Sequence, residues 1–178
     1  MSHFLQIGAG LIDLENPQQE QMDLPAIDER LSHIQRFSND PTAFSVRTHV
    51  ELAEELAIRA DATKAVRQWV RHHDDHEGIM GDWPGPIKNL LRLHTPFVDD
   101  LEHRLDWALC IARGIEYPSD QLRREVHYFD KLAETLEWRW KMKRPEMFWN
   151  MRLPHWLDEM TAANMVEAAQ AGIYARPL

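Results

Sequence analysis

The sequence predicts an all-α fold, a compact helical bundle with a short N-terminal extended arm or hairpin. Apolar residues recur at helical spacing through most of the chain after residue 24, and prolines and glycines fall between these stretches. Hardly any segment alternates as a strand does. With 178 residues, 44% of them hydrophobic, the chain is long enough for one well-filled core. We therefore expect a single domain over residues 1–178.

The first elements follow from local patterns. FLQIGAGLIDLENP places apolar residues around two glycines and closes on Asn16-Pro17, which predicts the hairpin or arm over residues 1–23. LPAIDERLSHIQRF has apolar residues at helical spacing, so a first helix is expected from Leu24 to near Phe37. SNDPTAF is turn-forming, and SVRTHVELAEELAIRA then predicts a second helix.

The later elements are also helical. ATKAVRQWVRHHDDHE predicts a third helix, ended by the glycines and prolines between Gly78 and Pro86. PFVDDLEHRLDWALCIARG predicts a fourth, with Gly114 as its C-terminal stop. YPSDQLRREVHYFDKLAETLEWRWKMK predicts a long fifth helix capped by Ser119, and DEMTAANMVEAAQAG a last one in the C-terminal extension over residues 141–178.

Charge and cysteine content exclude several classes of function. A net charge of −9 opposes binding to duplex nucleic acid or to an anionic membrane surface, although a local basic site could still bind a small anion. The single Cys110 cannot form an internal disulfide, and no charged-then-apolar leader or membrane-spanning apolar run is apparent. We therefore expect a soluble protein of the reducing cytoplasm.

Three helical stripes that should be apolar each contain one polar residue of a type that binds metals: His49, His73 and Asp130. A lone buried carboxylate is costly unless it is paired, hydrogen-bonded or bound to a metal. Asp74 follows His73, and Glu77 lies one turn further on. Mixed nitrogen and oxygen ligands suit Mn, Fe, Co, Ni or Zn better than Ca. This pattern predicts a divalent metal site built for hydrolysis.

Each of these residues also has a simpler interpretation. A histidine on an apolar stripe is usually a hydrogen-bonded core residue, and Asp130 could face an arginine or a helix end. It is the ordered combination that favours a metal site. We expect His72, Asp75 and His76 to face solvent or to support the ligands, and not to bind the metal themselves.

These residues resemble the H…HD…D signature of the HD-domain metal-dependent phosphohydrolases. More narrowly, RFSNDPTAFSVRTHV, HDDHEGIMGDWPGPIK and VHYFDKLAETLE are similar to segments of bacterial HD-domain 5'-deoxynucleotidases and of their phage relatives, which include dATP triphosphohydrolases. The likeness spans about residues 24–140, which would form the catalytic core of an HD-domain helical bundle. Its G-D-x-P-x-P-x-K segment is the most specific part.

The resemblance implies a role for each matching residue. His49, His73, Asp74 and Asp130 would bind the metal, and Glu77 would orient or deprotonate the attacking water.

The same resemblance gives substrate roles to neighbouring positions. Arg36 and Lys88 would grip phosphate, Phe37 stands where the bacterial enzymes carry a Trp near the sugar, and Trp83 opens the proline-restricted substrate loop. Asp82 would act as an acid or base, or hold a second divalent ion such as Mg together with Glu77.

Two departures from the family pattern stand out. Arg47-Thr48-His49-Val50 replaces the usual small or acidic residue before the His and the Ser after it, and HHDDHE is richer in charge than the common HDASE. Neither removes an expected ligand, but both could alter the choice of metal. Phe37 keeps a flat apolar wall and lacks the N–H donor of Trp.

The sequence leaves the function open among three classes. The preferred one is metal-dependent hydrolysis of the 5'-phosphate or triphosphate of a (deoxy)nucleotide; the alternatives are a di-iron oxygenase on the same scaffold and a non-catalytic nucleotide-binding module. The relatives are oligomeric, so we expect a homo-oligomer, a dimer or higher. Four tryptophans could serve as core or as a subunit interface: Trp138, Trp140, Trp149 and Trp156.

Overall fold

The computed structural model describes residues 3–149 and 151–175, so residues 1–2, 150 and 176–178 of the predicted arm and extension lie outside it. The fold is all-α apart from one antiparallel hairpin, β1 (Phe4–Ile7) and β2 (Gly10–Asp13). Gly8 forms the turn with φ +56°, and a Cβ there would lie 2.4 Å from Asp23 Oδ2. The expected hairpin is confirmed.

The helices follow in chain order. They are α1 (Leu24–His33), α2 (Val46–Arg59), α3 (Lys64–His72), α4 (Glu77–Met80), α5 (Gly85–Arg92), α6 (Phe97–Arg113), α7 (Asp120–Leu136) and α8 (Glu159–Gln170), with 3-10 turns at Gln19–Gln21 and Glu146–Phe148 and a π-helical segment at Glu137–Lys141.

The predicted ends of several helices are confirmed. The Ser119 side chain accepts a hydrogen bond from the Leu122 N–H at the start of α7. Gly114 and Gly172 adopt left-handed conformations just after α6 and α8. These signals depend only on neighbouring residues, which is why they can be read from sequence.

The first helix is shorter than predicted: it ends at His33 and does not reach Phe37. Residues 34–36 instead pair with residues 44–46, through an isolated bridge between Gln35 and Ser45 and a 3.0 Å hydrogen bond from the Arg36 N–H to the Phe44 carbonyl. This pairing with a distant segment overrides the local helical pattern.

A left-handed turn follows that bridge. Phe37, Ser38 and Asn39 have φ of 55°, 60° and 62°, a conformation that costs a non-glycine residue roughly 1–2 kcal/mol. The Ser38 N–H donates to Asp82 Oδ2 at 3.2 Å, and the Asn39 N–H donates to the Gln35 carbonyl at 3.1 Å. These bonds offset part of the strain and hold the turn beside the loop that contains Asp82.

The third helix also ends early, at His72 and not near Glu77, because residues 73–76 form a turn before the single helical turn α4. One short helix, α5, was not predicted. Pro86 lies in its first turn, where the missing N–H costs nothing, and none of its residues is buried. The fifth predicted helix continues beyond Leu136 only as the π-helical segment.

The core has two parts. Residues from α2, α3, α7 and α8 form the larger cluster, and the hairpin, α1 and α6 supply most of the smaller one. Leu56, Leu132 and Leu136 are fully buried in the larger cluster, each contributing about 1.5–3 kcal/mol by burial. Helix α2 packs against both α3 and α7, so polar residues on their facing surfaces must meet inside the fold. In the described ranges, no helix combines the length and the apolar character that a bilayer crossing requires.

Candidate metal centre

His49, His73 and Asp130 meet at one point inside the bundle. His49 lies on α2, His73 directly follows α3, and Asp130 lies on α7. His49 Nε2 is 3.1 Å and His73 Nε2 3.9 Å from Asp130 Oδ1, and one ligand atom from each of the three residues lies within 4.8 Å of the others. Two imidazole nitrogens and a carboxylate oxygen at this spacing can hold a divalent metal ion.

The hydrogen bonding of the His73 ring nitrogens indicates whether a metal ion fits this site. Its Nδ1–H donates to the Val70 carbonyl at 2.7 Å, which fixes the ring and leaves Nε2 as the acceptor. That Nε2 is buried and has no hydrogen-bond partner in the described part of the chain. A buried nitrogen without a hydrogen bond, directed at a histidine and a carboxylate, is the arrangement that a metal ion would satisfy.

Asp74, the fourth predicted ligand, lies beside this group. Its Oδ2 is 3.3 Å from His73 Nε2 and 3.6 Å from Arg36 Nη1. The structure therefore brings Asp74 to the edge of the centre, between an expected ligand and a buried cation. Its role as a ligand stays a prediction.

The electrostatics of the group also suit a cation. Burial opposes protonation of His73, but Asp74 and Asp130 outweigh it and raise the pKa of its imidazole to about 10. Burial likewise opposes ionisation of Asp130, yet the nearby imidazoles of His49 and His73 outweigh it and hold the pKa of its carboxyl well below the ordinary value. The carboxylates thus draw positive charge to this point, and a metal ion would supply it in place of the imidazole protons.

A cavity of about 470 Å³ opens above the centre. Its lining includes most of the residues that the sequence singled out: Arg36, Phe37, Asp74, Glu77, Asp82, Trp83, Lys88 and Asp130. His127, Lys131 and Glu134, which sequence reasoning missed, also line it. Asp74 and Asp130 therefore share one cavity with the predicted substrate residues, whereas His49 and His73 lie behind Asp130 and do not line it.

Glu77 and Lys88 face each other in the cavity wall. Lys88 Nζ lies 3.6 Å from Glu77 Oε1 and 2.9 Å from Glu102 Oε1. Burial and the nearby Asp74 raise the pKa of Glu77 to about 8. A carboxyl group with such a pKa can accept a proton near neutral pH.

Arg36 is buried among carboxylates. Its guanidinium nitrogens lie 3.2 Å from Glu137 Oε2, 3.6 Å from Asp74 Oδ2 and 3.8 Å from Glu134 Oε1. Burial opposes its charge, but Glu137 and Asp130 outweigh that effect and raise its pKa. Arg36 therefore neutralises this acidic site as well as lining the cavity.

Sequence reasoning missed Glu134 and Glu137, although a signal was present. In DKLAETLE they follow Asp130 by four and seven residues, which places all three on one helical face. Three carboxylates on a face that also carries Leu and Phe require a buried cation. Arg36, which lies near the N-terminal end of residues 24–140, is that cation.

Phe37 is held between two flat groups. The Arg36 guanidinium lies 5.1 Å from the centre of its ring, and Trp138 lies 5.6 Å away at a tilted angle. Trp83 is 37% exposed at the cavity mouth, and its Nε1–H donates to the Met80 carbonyl at 3.2 Å. Both predicted substrate residues thus present aromatic surface to the cavity.

Of the two placements expected for His72, Asp75 and His76, exposure to solvent and support of the ligands, the structure favours the second. The Asp75 carboxylate is buried and accepts hydrogen bonds from Arg113 Nε at 2.8 Å and from His72 Nδ1 at 3.1 Å. His76 Nδ1 lies 2.9 Å from Asp106 Oδ1. Burial alone would lower the pKa of His76, but the Asp106 carboxylate outweighs burial and raises the pKa to about 9. The extra charges of HHDDHE thus fix the turn that presents His73 and Asp74.

The four C-terminal tryptophans are all half-buried. Trp140 and Trp156 pack against the larger core cluster, and Trp149 stacks on the guanidinium of Arg139, 4.5 Å from its ring centre. For Trp140 and Trp156, the structure favours the alternative that they belong to the core. A role in a subunit interface stays a prediction.

No known family model matches the chain, and no curated protein resembles it significantly. The resemblance to HD-domain phosphohydrolases therefore stays a prediction from the sequence motifs.

Proposed function

We propose that this protein is a metal-dependent phosphohydrolase of the HD-domain type, which cleaves the 5'-phosphate or triphosphate of (deoxy)nucleotides. The observation that supports this most directly is the convergence of His49, His73 and Asp130 below a cavity with basic and acidic walls. Cations beside a metal site suit a phosphorylated substrate, because they offset its negative charge.

The residues at the centre would hold a divalent ion such as Mn, Co, Fe, Ni or Zn. Such an ion, when bound, supplies a water of lowered pKa and polarises a phosphoryl oxygen. Glu77 lines the same cavity and would orient that water and accept its proton. Asp82 would assist as an acid or base, since it faces the same space and is fixed by the Ser38 N–H.

Three cations would bind the phosphate groups. Lys88 and Lys131 both line the cavity as point charges, and Arg36 adds a planar set of donors. A second divalent ion such as Mg near Glu77 and Asp82 stays a prediction. In this structure the positive charge beside Glu77 is that of Lys88, whose Nζ lies 3.6 Å from Glu77 Oε1.

The nucleoside part would lie between aromatic walls. Phe37 and Trp83 border the cavity and offer flat surfaces to a sugar and a base. We further propose a cytoplasmic location and a homo-oligomeric state, with a small-molecule nucleotide as the binding partner and neither duplex nucleic acid nor membrane. The single buried thiol of Cys110 is compatible with a reducing compartment.

The di-iron alternative gains no support from the spare imidazoles. The imidazoles of His72 and His76 are engaged by the carboxylates of Asp75 and Asp106, respectively. The non-catalytic alternative predicts binding without turnover and is separated by the experiment that follows.

The decisive experiment is a product analysis. The protein is stripped of metal with a chelator, reloaded with Mn or Co, and incubated with deoxynucleoside and nucleoside mono- and triphosphates, with the products separated by chromatography. We expect metal-dependent release of orthophosphate or of a longer phosphate. Equal rates in the stripped and reloaded protein, or no release from any nucleotide under argon or air, would reject the proposal.

A further inference from the structure

We infer that Glu137 is a positioning residue of the metal centre: its carboxylate sets the tautomer of His49, so that Nε2 is free for the metal, and holds Arg36 beside it. This inference depends on the proposed function in one respect only, that a divalent ion binds between His49, His73 and Asp130. Nothing in the sequence motif assigns a role to Glu137.

Glu137 is fully buried at the junction of α7 and the π-helical segment. Its Oε1 accepts a 2.6 Å hydrogen bond from the Phe44 N–H. Its Oε2 lies 3.6 Å from His49 Nδ1 and 3.2 Å from Arg36 Nε. The carboxylate therefore touches the chain just before α2, a metal-type histidine and a buried cation at once.

In the part of the chain that the structure describes, three buried polar atoms meet around Glu137 Oε2 without hydrogen bonds. Within the described ranges, Glu137 Oε2, His49 Nδ1 and Arg36 Nε are each buried and lack a hydrogen bond of good geometry. Buried polar atoms without partners are rare and costly, and these three lie together. A small adjustment of the Glu137 side chain would let Oε2 accept from either nitrogen.

The consequence for His49 follows from imidazole chemistry. A neutral imidazole has one N–H and one acceptor nitrogen. With the proton on Nδ1, His49 can donate to Glu137 and its Nε2 lone pair can bind a metal, which would take the place of the hydrogen bond that a protonated Nε2 donates to Asp130 Oδ1 at 3.1 Å. With the proton on Nε2, an N–H would face the metal and a lone pair would face a carboxylate. Glu137 thus favours the tautomer that can bind metal.

The same arrangement recurs at the other histidine with a different partner. His73 donates its Nδ1–H to the Val70 carbonyl, which leaves Nε2 directed at the centre. Both imidazoles therefore have an oxygen on the Nδ1 side. For His73 that oxygen belongs to the helix just before it, whereas for His49 it comes from Glu137, 88 positions further along the chain.

Glu137 also connects the two helices that carry the ligands. The Phe44 N–H precedes α2, which carries His49, and Glu137 follows α7, which carries Asp130. A carboxylate fixed at one oxygen cannot rotate away from His49 without losing the bond to Phe44. The spacing of His49 and Asp130 is therefore coupled to Glu137.

The test compares Glu137→Gln with Glu134→Gln. If the carbonyl of the introduced amide keeps the bond from Phe44, its N–H donors face His49 Nδ1 and Arg36 Nε, which favours the wrong tautomer. Glu134 faces the same guanidinium from one turn earlier, so an effect carried by Arg36 alone would appear in both variants. We expect Glu137→Gln to weaken Zn²⁺ binding 10–100-fold, as loss of a ligand's supporting partner does, and Glu134→Gln by less than about threefold.

The readouts are the Zn²⁺ dissociation constant by competition with a chromophoric chelator and the His49 tautomer by ¹⁵N NMR of the imidazoles. Zn-loaded wild type should show the proton on Nδ1 of His49; this measurement needs no variant and holds even if Glu137→Gln does not fold. A proton on Nε2 in wild type, wild-type affinity in Glu137→Gln, or equal losses in both variants overturns the inference. If His49 has its proton on Nδ1 and the two variants bind Zn²⁺ as expected, but the protein releases no phosphate from any nucleotide, the proposed function is rejected and the role of Glu137 is not.

Discussion

His49 Nε2 and Asp130 Oδ1 lie 3.1 Å apart, although 81 residues separate them in the chain. The contact exists because α2 packs against α7 with both side chains on the facing surfaces. Neither residue could be buried there alone without a large desolvation cost. The pair, with His73 beside it, forms the centre on which the proposed activity depends, and Asp130 connects this centre to the cavity.

His73→Ala should abolish metal-dependent turnover. The variant removes the buried Nε2 that, among the described residues, has no hydrogen bond, so we expect activity to fall at least 100-fold and not to recover with Mn or Co. In wild type, metal at 100 times its dissociation constant should stabilise the fold by about 2.7 kcal/mol, measured by thermal melting. His33→Ala, at an exposed position, is the control. Full activity in His73→Ala would contradict the assigned centre.

Glu77→Gln should separate catalysis from binding. The amide keeps the shape of the side chain but cannot accept a proton from water, so kcat should fall 10²–10⁴-fold. KM should change only a few-fold, because Lys88 and the metal ligands are unchanged. Steady-state kinetics measure both. Glu125→Gln, an exposed carboxylate, controls for loss of charge. Unchanged turnover in Glu77→Gln would favour a non-catalytic module or another base.

Ser119→Ala should destabilise the fold by about 1 kcal/mol, because the Ser119 hydroxyl satisfies the Leu122 N–H at the start of α7. Urea unfolding followed by circular dichroism measures this loss. Ser32→Ala is the matched control: its hydroxyl only donates to the Asp28 carbonyl within α1, and the change should lie within about 0.5 kcal/mol. Equal effects in the two variants would show that the cap contributes nothing.

Cys110 should resist thiol reagents in the native protein. Burial, followed by Asp106 and Asp75, raises the pKa of its thiol to about 12, so the reactive thiolate is scarce at pH 8. Labelling with a chromogenic disulfide should be slow until urea unfolds the chain. The folded pKa exceeds the unfolded one, so the thiol's contribution to stability is present at neutral pH and is lost as the pH rises towards 12. Rapid labelling of native protein would contradict this burial.

Much of the architecture could be predicted because its signals are local. The helical periodicities, the Ser119 cap and the Gly114 stop involve residues within a few positions of one another. His49 and Asp130 were recognisable because a polar residue interrupts an apolar stripe. Their meeting could be inferred only from the need to compensate buried charge.

The remaining features depend on contacts between distant segments. The first helix stops early because residues 34–36 pair with residues 44–46, and the turn at residues 73–76 depends on Arg113 from α6. The role of Glu137 requires the Phe44 N–H, 93 residues away. No local pattern encodes these partners, so only the spacing from Asp130 hinted at Glu137.

The π-helical segment at Glu137–Lys141 constrains how this part of the chain can change in length. A π turn closes its hydrogen bonds over five residues and not four, so the segment holds one residue more than a regular helix would. Deleting a single residue there would restore regular geometry with the flanking helical faces still in register, whereas inserting one would rotate the following side chains by about 100° relative to α8, against which the segment packs. Natural selection should therefore tolerate the loss of one residue at this place more readily than the gain of one, and a library that varies chain length should shorten the segment and not lengthen it.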